Sequence, residues 1–235
     1  RARRSRLAQV PFLLAGLDRA VRRQVREFRP DAVHAHWIIP QGMVARRAAA
    51  AVPMVVTTLG GDLYALEGRL ARAEKTRVVR AAAAVTVMNA DMRERAIALG
   101  ADPSRTFVMP MGARFVAAGP HAGAAPASRR HPLRVLAVGR LVEKKGFDVL
   151  LAAVRAARAR VEVEIVGDGP ERARLEALAA GLPVTFAGTL GREELARRYA
   201  AADAVVFPSR RARSGDQDGL PVALLEAMGA GCAVV

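Results

Sequence analysis

Three stretches in the second half of the sequence have the residue types and spacing to handle a charged ligand. The first, Val138-Gly139-Arg140-Leu141-Val142-Glu143-Lys144-Lys145-Gly146, follows a strand-like apolar run and precedes a helix-like one. Open α/β sheets bind ligands at the carboxyl ends of their strands. Gly139 there lets a ligand approach the backbone, while Arg140 offers a planar fork and Lys145 a mobile point charge to a diphosphate. The same residues would also make an ordinary solvated turn. The second stretch, Val166-Gly167-Asp168-Gly169-Pro170, is a tight turn with Pro170 placed for the first turn of a helix. It either lies beneath a nucleotide or only punctuates the chain.

The third stretch runs from Asp218-Gly219-Leu220-Pro221 to Glu226. Asp218 reads as a helix N-cap, and Gly219 as a helix start whose N–H groups hold sugar hydroxyls or phosphate oxygens. Glu226 would then lie about 10 Å along the axis on a similar face, where a carboxylate can chelate a ribose diol. The plain alternative is a cap followed by a surface charge. Against it, Glu226 interrupts an otherwise apolar Leu-Leu-Glu-Ala-Met run. Two further patterns imitate metal sites. His34 and His36 alternate onto one strand face, but a third ligand is lacking. Asp216-Gln217-Asp218 imitates a metal-binding Asp-x-Asp clip, yet it sits in the polar loop Ser209–Asp218 and reads as loop plus N-cap. No metal is expected.

Short β-branched runs alternate with Ala/Leu/Arg-rich stretches, as parallel βαβ architecture requires. Strands are predicted at Asp31–Ala35, Met54–Leu59, Ala84–Met88, Thr106–Met109, Leu133–Val138, Val161–Val166, Val184–Phe186, Ala204–Phe207 and Ala233–Val235. Helices fit at Gly42–Ala51, Ala90–Leu99, Gly146–Ala159, Glu171–Ala180, Glu193–Ala202 and Gly219–Gly229. Gly, Pro and small residues without periodicity mark 117–132 as a linker. It separates an acceptor-side Rossmann-like domain, 1–116, from a nucleotide-binding one, 133–235, with a cleft expected between them. Both domains read as incomplete.

At the start, Leu7, Val10, Leu14, Leu17, Val21, Val25 and Phe28 follow helical spacing, while Arg19, Arg22, Arg23 and Arg26 fall mostly elsewhere. One reading is a membrane-surface face that recruits a lipid-linked acceptor. The preferred reading is a helix packed on its own sheet with a solvated basic side.

Lys and Arg number 37 against 22 Asp and Glu, a formal charge of +15 that attracts phosphorylated ligands, anionic lipid and polyanions. Arg residues are spread over helix surfaces without an aromatic platform, which argues against specific nucleic-acid binding. Aromatics make up 4% of a sequence that is 52% hydrophobic, so Ala, Val and Leu must build the cores, as suits helices on buried parallel strands. The lone Cys232 excludes an internal disulfide framework and a Cys-cluster metal site, and fits a reducing, cytoplasmic setting.

Taken together, these stretches resemble the family 4 retaining glycosyltransferases of GT-B fold, over most of the chain. Phe186-Ala187-Gly188 with Glu194-Leu195, Ala202–Ser209, and the acid-x7-acid element at Asp218 and Glu226 complete the pattern in order and spacing. In the first half, Asp31-Ala32-Val33-His34-Ala35-His36-Trp37 resembles the family's Asp-x-x-His-x-His strand end near the acceptor. Thr57-Thr58-Leu59-Gly60-Gly61-Asp62 resembles its Thr-x-His-Gly-x-Asp loop, with Leu59 where the family has His. Met109-Pro110-Met111-Gly112 resembles its Pro-Asn-Gly turn, with Met111 replacing Asn.

The resemblance implies that Arg140 and Lys145, beside Gly139, neutralise a donor diphosphate. It implies that Asp218, where the family has Glu, lies near the transferred sugar, with the backbone of Gly219, Leu220 and Pro221 on its hydroxyls. Glu226 would hold the donor ribose, and Gly188-Thr189-Leu190 would read the base. His36, Gly60, Gly61 and Asp62 would lie on the acceptor side. The implied activity is metal-independent, retaining transfer of a sugar from a UDP- or GDP-sugar to a hydroxyl acceptor, with no cofactor. The alternatives are a nucleotide-sugar epimerase on the same fold and a non-catalytic scaffold that binds nucleotide sugars. The chain opens at Arg1 and stops within a strand-like run, so both ends read as cut and this segment alone is expected to be inactive. Contact with the inner face of a membrane goes with the first reading of the opening helix.

Overall fold

The β-branched runs form the strands of two all-parallel sheets in a computed structural model that describes residues 8–113 and 132–235. The chain divides into the units Arg1–Pro110 and Met111–Val235. The predicted linker, apart from Pro132, and Leu7 of the opening helix lie outside the described residues.

The first unit carries β1 (Val33–His36), β2 (Met54–Thr57), β3 (Ala84–Val87) and β4 (Thr106–Val108), in the order β1-β2-β3-β4. Each strand is added beside its predecessor, with Val33 opposite Met54 and Val85 opposite Thr106. Its helices are α1 (Val10–Phe28), α2 (Met43–Ala48), the single turn α3 (Gly61–Tyr64), α4 (Arg69–Ala81) and α5 (Ala90–Ala98). Val56, Val85 and Val87 from the strands, Val78 and Val79 from α4, and Met92 from α5 are all buried. The Asn89 side chain caps α5 by accepting from the Met92 N–H at 2.9 Å.

The opening helix corrects one expectation. Half-buried Leu14, Leu17, Val21 and Val25 lie on one face, but that face meets α2 rather than the sheet. Phe12, Leu13 and Phe28 remain exposed, as do Arg19, Arg22, Arg23 and Arg26. No helix among the described residues is long and apolar enough to cross a membrane.

The second unit carries β5 (Leu133–Val138), β6 (Val161–Val166), β7 (Val184–Gly188) and β8 (Ala204–Val205), in the order β7-β6-β5-β8. The two-residue alternation of β5 serves both faces of the sheet. Val135 and Ala137 join the core under α6 (Phe147–Ala156) and α7 (Arg172–Leu178). Leu136 and Val138 join the opposite core, with Tyr199 of α8 (Arg192–Ala201) and Ala227 of α9 (Val222–Gly229). A strand buried on both sides needs a continuous apolar run, and Val-Leu-Ala-Val supplies it. The predicted last strand appears as a single parallel bridge between Val205 and Val234, on the side of β8 away from β5.

Candidate functional site

In the second sheet the chain runs outward from β5 to β6 and β7, then returns to β5's other side as β8. The loops leaving β5 and β8 therefore diverge at a topological switch point, the place where open α/β sheets hold ligands. Gly146 lets these two loops meet, and Gly167 lets the turn after β6 meet the turn after β5. Gly146 has φ +66°, and a Cβ there would lie 1.8 Å from the Pro208 carbonyl oxygen. Gly167 has φ +138°, and its Cβ would lie 2.0 Å from the Gly139 carbonyl oxygen. Any other residue would push the turns apart.

The loop after β5 closes in a short 3₁₀ turn, Glu143–Lys145, and the loop after β8 is tied to it. The Arg210 N–H donates to the Lys144 carbonyl at 2.9 Å. Lys145 Nζ lies 2.6 Å from Asp218 Oδ2, and its methylenes run alongside Gly139. Arg140, by contrast, is exposed and makes no ion pair among the described residues. The structure thus joins Gly139, Lys145 and Asp218 directly and leaves the Arg140 guanidinium to solvent.

The capping role read for Asp218 is not what the structure contains. α9 begins at Val222 with Pro221 as its N-cap residue, so Gly219 does not start the helix. The Asp218 carboxylate has gone instead to the lysines of the turn after β5, because two ammonium groups outcompete backbone N–H groups for an acid. The helical spacing assumed between Gly219 and Glu226 fails for the same reason. Likewise Pro170 precedes α7, whose N-cap residue is Glu171, rather than entering its first turn. Glu226 lies on α9 beside the phenol of Tyr199, which donates to the Ala223 carbonyl at 3.2 Å. Burial first, and the Glu226 charge second, push that phenol above its ordinary pKa.

Gly188 ends β7, where its carbonyl accepts from the Gly167 N–H at 2.8 Å. The Leu190 side chain packs against the core beneath α8 and α9. Gly188 therefore lies at the sheet's carboxyl edge, while Leu190 is anchored inward. Leu220 is half-buried between Gly219 and the N-cap residue Pro221.

The first unit builds its own arrangement at the carboxyl ends of β1 and β2. His34 and His36 stack with ring centroids 4.3 Å apart, both pointing from one face of β1. A hydrogen-bonded row leads inward, His34 Nε2 to Thr57 Oγ1 and Thr57 Oγ1 to Thr86 Oγ1, each 2.6 Å. Desolvation, then the neighbouring His36, hold the His34 pKa below its ordinary value. Among the described residues no group of three or more His, Cys, Asp or Glu is placed to hold a metal ion.

Past His36 the chain turns at Trp37, a non-glycine residue at φ 82°, ψ 135°, a conformation that costs about 1–3 kcal/mol. It is held there by its N–H on the Thr57 carbonyl at 2.8 Å and by the next N–H, of Ile38, on Asp62 Oδ2 at 2.8 Å. Asp62 Oδ1 also accepts from the Thr58 hydroxyl at 2.9 Å and the Leu59 N–H at 3.1 Å. Asp62 is thus 2% exposed and fully engaged. It fixes the Leu59-Gly60-Gly61 loop against β1 and turns its charge away from solvent.

Several residues here escaped sequence reasoning. Lys144 reaches Asp216 at 3.2 Å and Asp218 at 3.3 Å, and Arg213 pairs with Glu143 at 3.1 Å. Buried Lys75 of α4 donates to the Leu63 carbonyl at 3.0 Å and to that of Ala65, closing the end of α3. Sequence separations of 70 or more in the first group leave no local signal. Lys75 could have been found only as a charge interrupting an apolar face.

The family described as Glycosyl transferases group 1 matches residues 132–235, and a Glycosyl transferase 4-like domain matches residues 1–112. The amylovoran biosynthesis glycosyltransferase AmsK of Erwinia amylovora is 41% identical over 44% of this chain and 27% of its own length. A GDP-mannose-dependent alpha-(1-6)-phosphatidylinositol monomannoside mannosyltransferase of Mycobacterium tuberculosis is 31% identical over 93% of this chain and 61% of its own length. Among solved structures, Anabaena HepE in complex with UDP-glucose superposes with a TM-score of 0.71 at 19% identity, covering 94% of this chain and 62% of that one. That likeness is one of fold. The chain spans less than two thirds of each of these proteins.

Proposed function

The chain belongs to the group 1 glycosyl transferases, and from that premise we propose that it is part of an enzyme that moves a sugar from a nucleotide-diphosphate sugar to a hydroxyl acceptor with retained configuration. The observation that carries this reading is the meeting of the β5 and β8 loops at the switch point, which sets Lys145 against Asp218 beside the backbone of Gly139.

Lys145 and Arg140 would balance the charge that builds on the diphosphate as it leaves, as electrostatic stabilisation of a transition state requires. The first-turn amides of α9, at its electropositive end, would add donors for the sugar or phosphate. Asp218 would lie by the transferred sugar and Glu226 by the ribose. In the step itself, the bond from the anomeric carbon to the phosphate oxygen breaks and its electron pair leaves with the nucleoside diphosphate. The acceptor oxygen bonds to that carbon from the same face, and its proton passes to the departing phosphate oxygen. These groups supply the positive charge from the protein itself, so the proposal needs no metal. The HepE structure holds UDP-glucose and the mycobacterial relative is named as GDP-mannose-dependent, so uridine and guanosine donors both belong in the test.

Arg19, Arg23 and Arg26 of α1, which have no ion pair among the described residues, and exposed Phe12 and Leu13 on the same helix also support contact with an anionic membrane surface from the cytoplasmic side.

The test is binding and turnover of UDP-, GDP- and ADP-sugars by the whole protein, beside an Arg140→Ala, Lys145→Ala variant. One charge-assisted contact contributes about 1.5–3 kcal/mol, so the variant is expected to lose at least about tenfold in affinity. Donor consumption without any acceptor would favour an epimerase. No binding of any donor would defeat the enzyme reading and leave the scaffold.

A further inference from the structure

We propose that Lys144 is a second diphosphate-binding ammonium, and that Asp216 and Asp218 compete with the donor's phosphates for Lys144 and Lys145. The inference rests on the donor-site reading above and extends it to how that site opens.

The geometry is that of a closed charge cluster. Asp218 divides its two oxygens, Oδ1 lying 3.3 Å from Lys144 Nζ and Oδ2 2.6 Å from Lys145 Nζ. Asp216 holds Lys144 as well, with its oxygens at 3.2 and 3.3 Å. The lysine side chains are 18% and 15% exposed, that of Asp218 15% and that of Asp216 32%, so the Asp218 pairs above all are screened less than surface pairs are. Its formal charges sum to zero, two ammonium groups against two carboxylates.

A diphosphate brings several negative charges to this place. It gains from the lysines only as the carboxylates withdraw, because like charges at such distances repel strongly in a partly desolvated site. Withdrawal is feasible because both acids sit in an irregular loop, after β8 and before α9, and not on a helix or strand. That loop keeps other attachments while the acids move. Arg210 pairs with Asp148 at 2.8 Å, Arg213 with Glu143 at 3.1 Å, and the Arg210 N–H stays on the Lys144 carbonyl. Donor binding therefore exchanges one set of partners of the lysines for another at a fixed hinge. A freed Asp218 carboxylate lies next to the sugar end of the donor, which reconciles its ion pairs with the role proposed for it.

The test is calorimetric titration of the whole protein with UDP, GDP and ADP, and with uridine, guanosine and adenosine as diphosphate-free controls. Asp218→Asn and Asp216→Asn remove competing charge and keep the shape, so each is expected to raise affinity for the preferred nucleoside diphosphate by about threefold to tenfold. Lys144→Ala is expected to lower it by about threefold or more, with nucleoside affinity unchanged in all variants. Wild-type binding of a nucleoside diphosphate with no gain in either Asn variant would overturn the competition and leave the donor site standing. Unchanged affinity in Lys144→Ala would remove that lysine from the site. If the wild type binds no nucleoside diphosphate at all, the donor-site reading falls, and this proposal with it.

Discussion

At the scale of single residues, what decides a side chain's role is which partner wins it. Asp218 has a local invitation to cap a helix, yet two ammonium groups more than 70 residues away in sequence take it. Asp62 looks from sequence like a charge offered to a ligand, yet three donors enclose it. His34 has a partner whose preference depends on protonation. Its neutral ring accepts or donates in the row with Thr57 and Thr86, while the charged ring is penalised by desolvation and then by His36. A histidine held below its ordinary pKa in the fold takes up its proton more readily when unfolded. Stability should therefore fall as pH drops below the ordinary histidine value of about 6.5, and recover above it. Thermal unfolding of the wild type and of His34→Gln from about pH 5 to about pH 8 checks this. The variant is expected to lose less stability than the wild type at the acid end. Parallel curves for the two proteins would mean that His34 does not carry the effect.

At the scale of elements, the strands were legible where the physics is local. Leu133–Val138 and Val161–Val166 match their predicted bounds, since a β-branched run between turn residues has few other fates. The helix at Arg69–Ala81 was not read, for a physical reason. Its inward face includes Glu74 and Lys75, buried because Arg46 and Arg77 pair with one and the carbonyls of Leu63 and Ala65 with the other. Apolar periodicity does not mark a buried charge most of whose partners, Arg77 apart, lie outside the helix. The candidate site was legible in the same uneven way. Gly139, Lys145 and Asp218 were named from type and order and lie together in the fold, whereas the engagement of Lys144 and Asp216 and the true start of α9 depend on a contact between two loops. Gly146 is where that contact is sharpest. Gly146→Ala places a methyl group on the Pro208 carbonyl at a left-handed φ. It is expected to cost about 2 kcal/mol or more in denaturant unfolding and to weaken nucleoside diphosphate binding together with it. A stable variant with normal nucleotide affinity would show that the loops need not touch there.

At the scale of the whole molecule, the chemistry is partitioned along the chain. The proposed donor groups fall between Gly139 and Glu226, in the second unit, and the proposed acceptor-side groups between His36 and Asp62, in the first. The formal charge of +15 is uneven as well. Arg105, Arg174 and Arg197 pair with acids one helical turn away, while Arg19, Arg23 and Arg26 of α1 have no ion pair among the described residues. Exposed local pairs contribute little to stability, but they do neutralise one another, so the attraction for anions concentrates where they are missing. Hydrogen exchange on the whole protein separates these two consequences in one experiment. With the preferred nucleoside diphosphate, protection is expected in 139–146 and 207–226, because the ligand's bonds replace those of a loop that otherwise opens readily. With vesicles containing anionic lipid, protection is expected instead in 10–28. Protection of 57–64 by the nucleotide alone would assign part of the donor site to the first unit. Vesicles that leave 10–28 unprotected would return α1 to a solvated basic face packed on α2, and the acceptor would then have to reach the protein from solution.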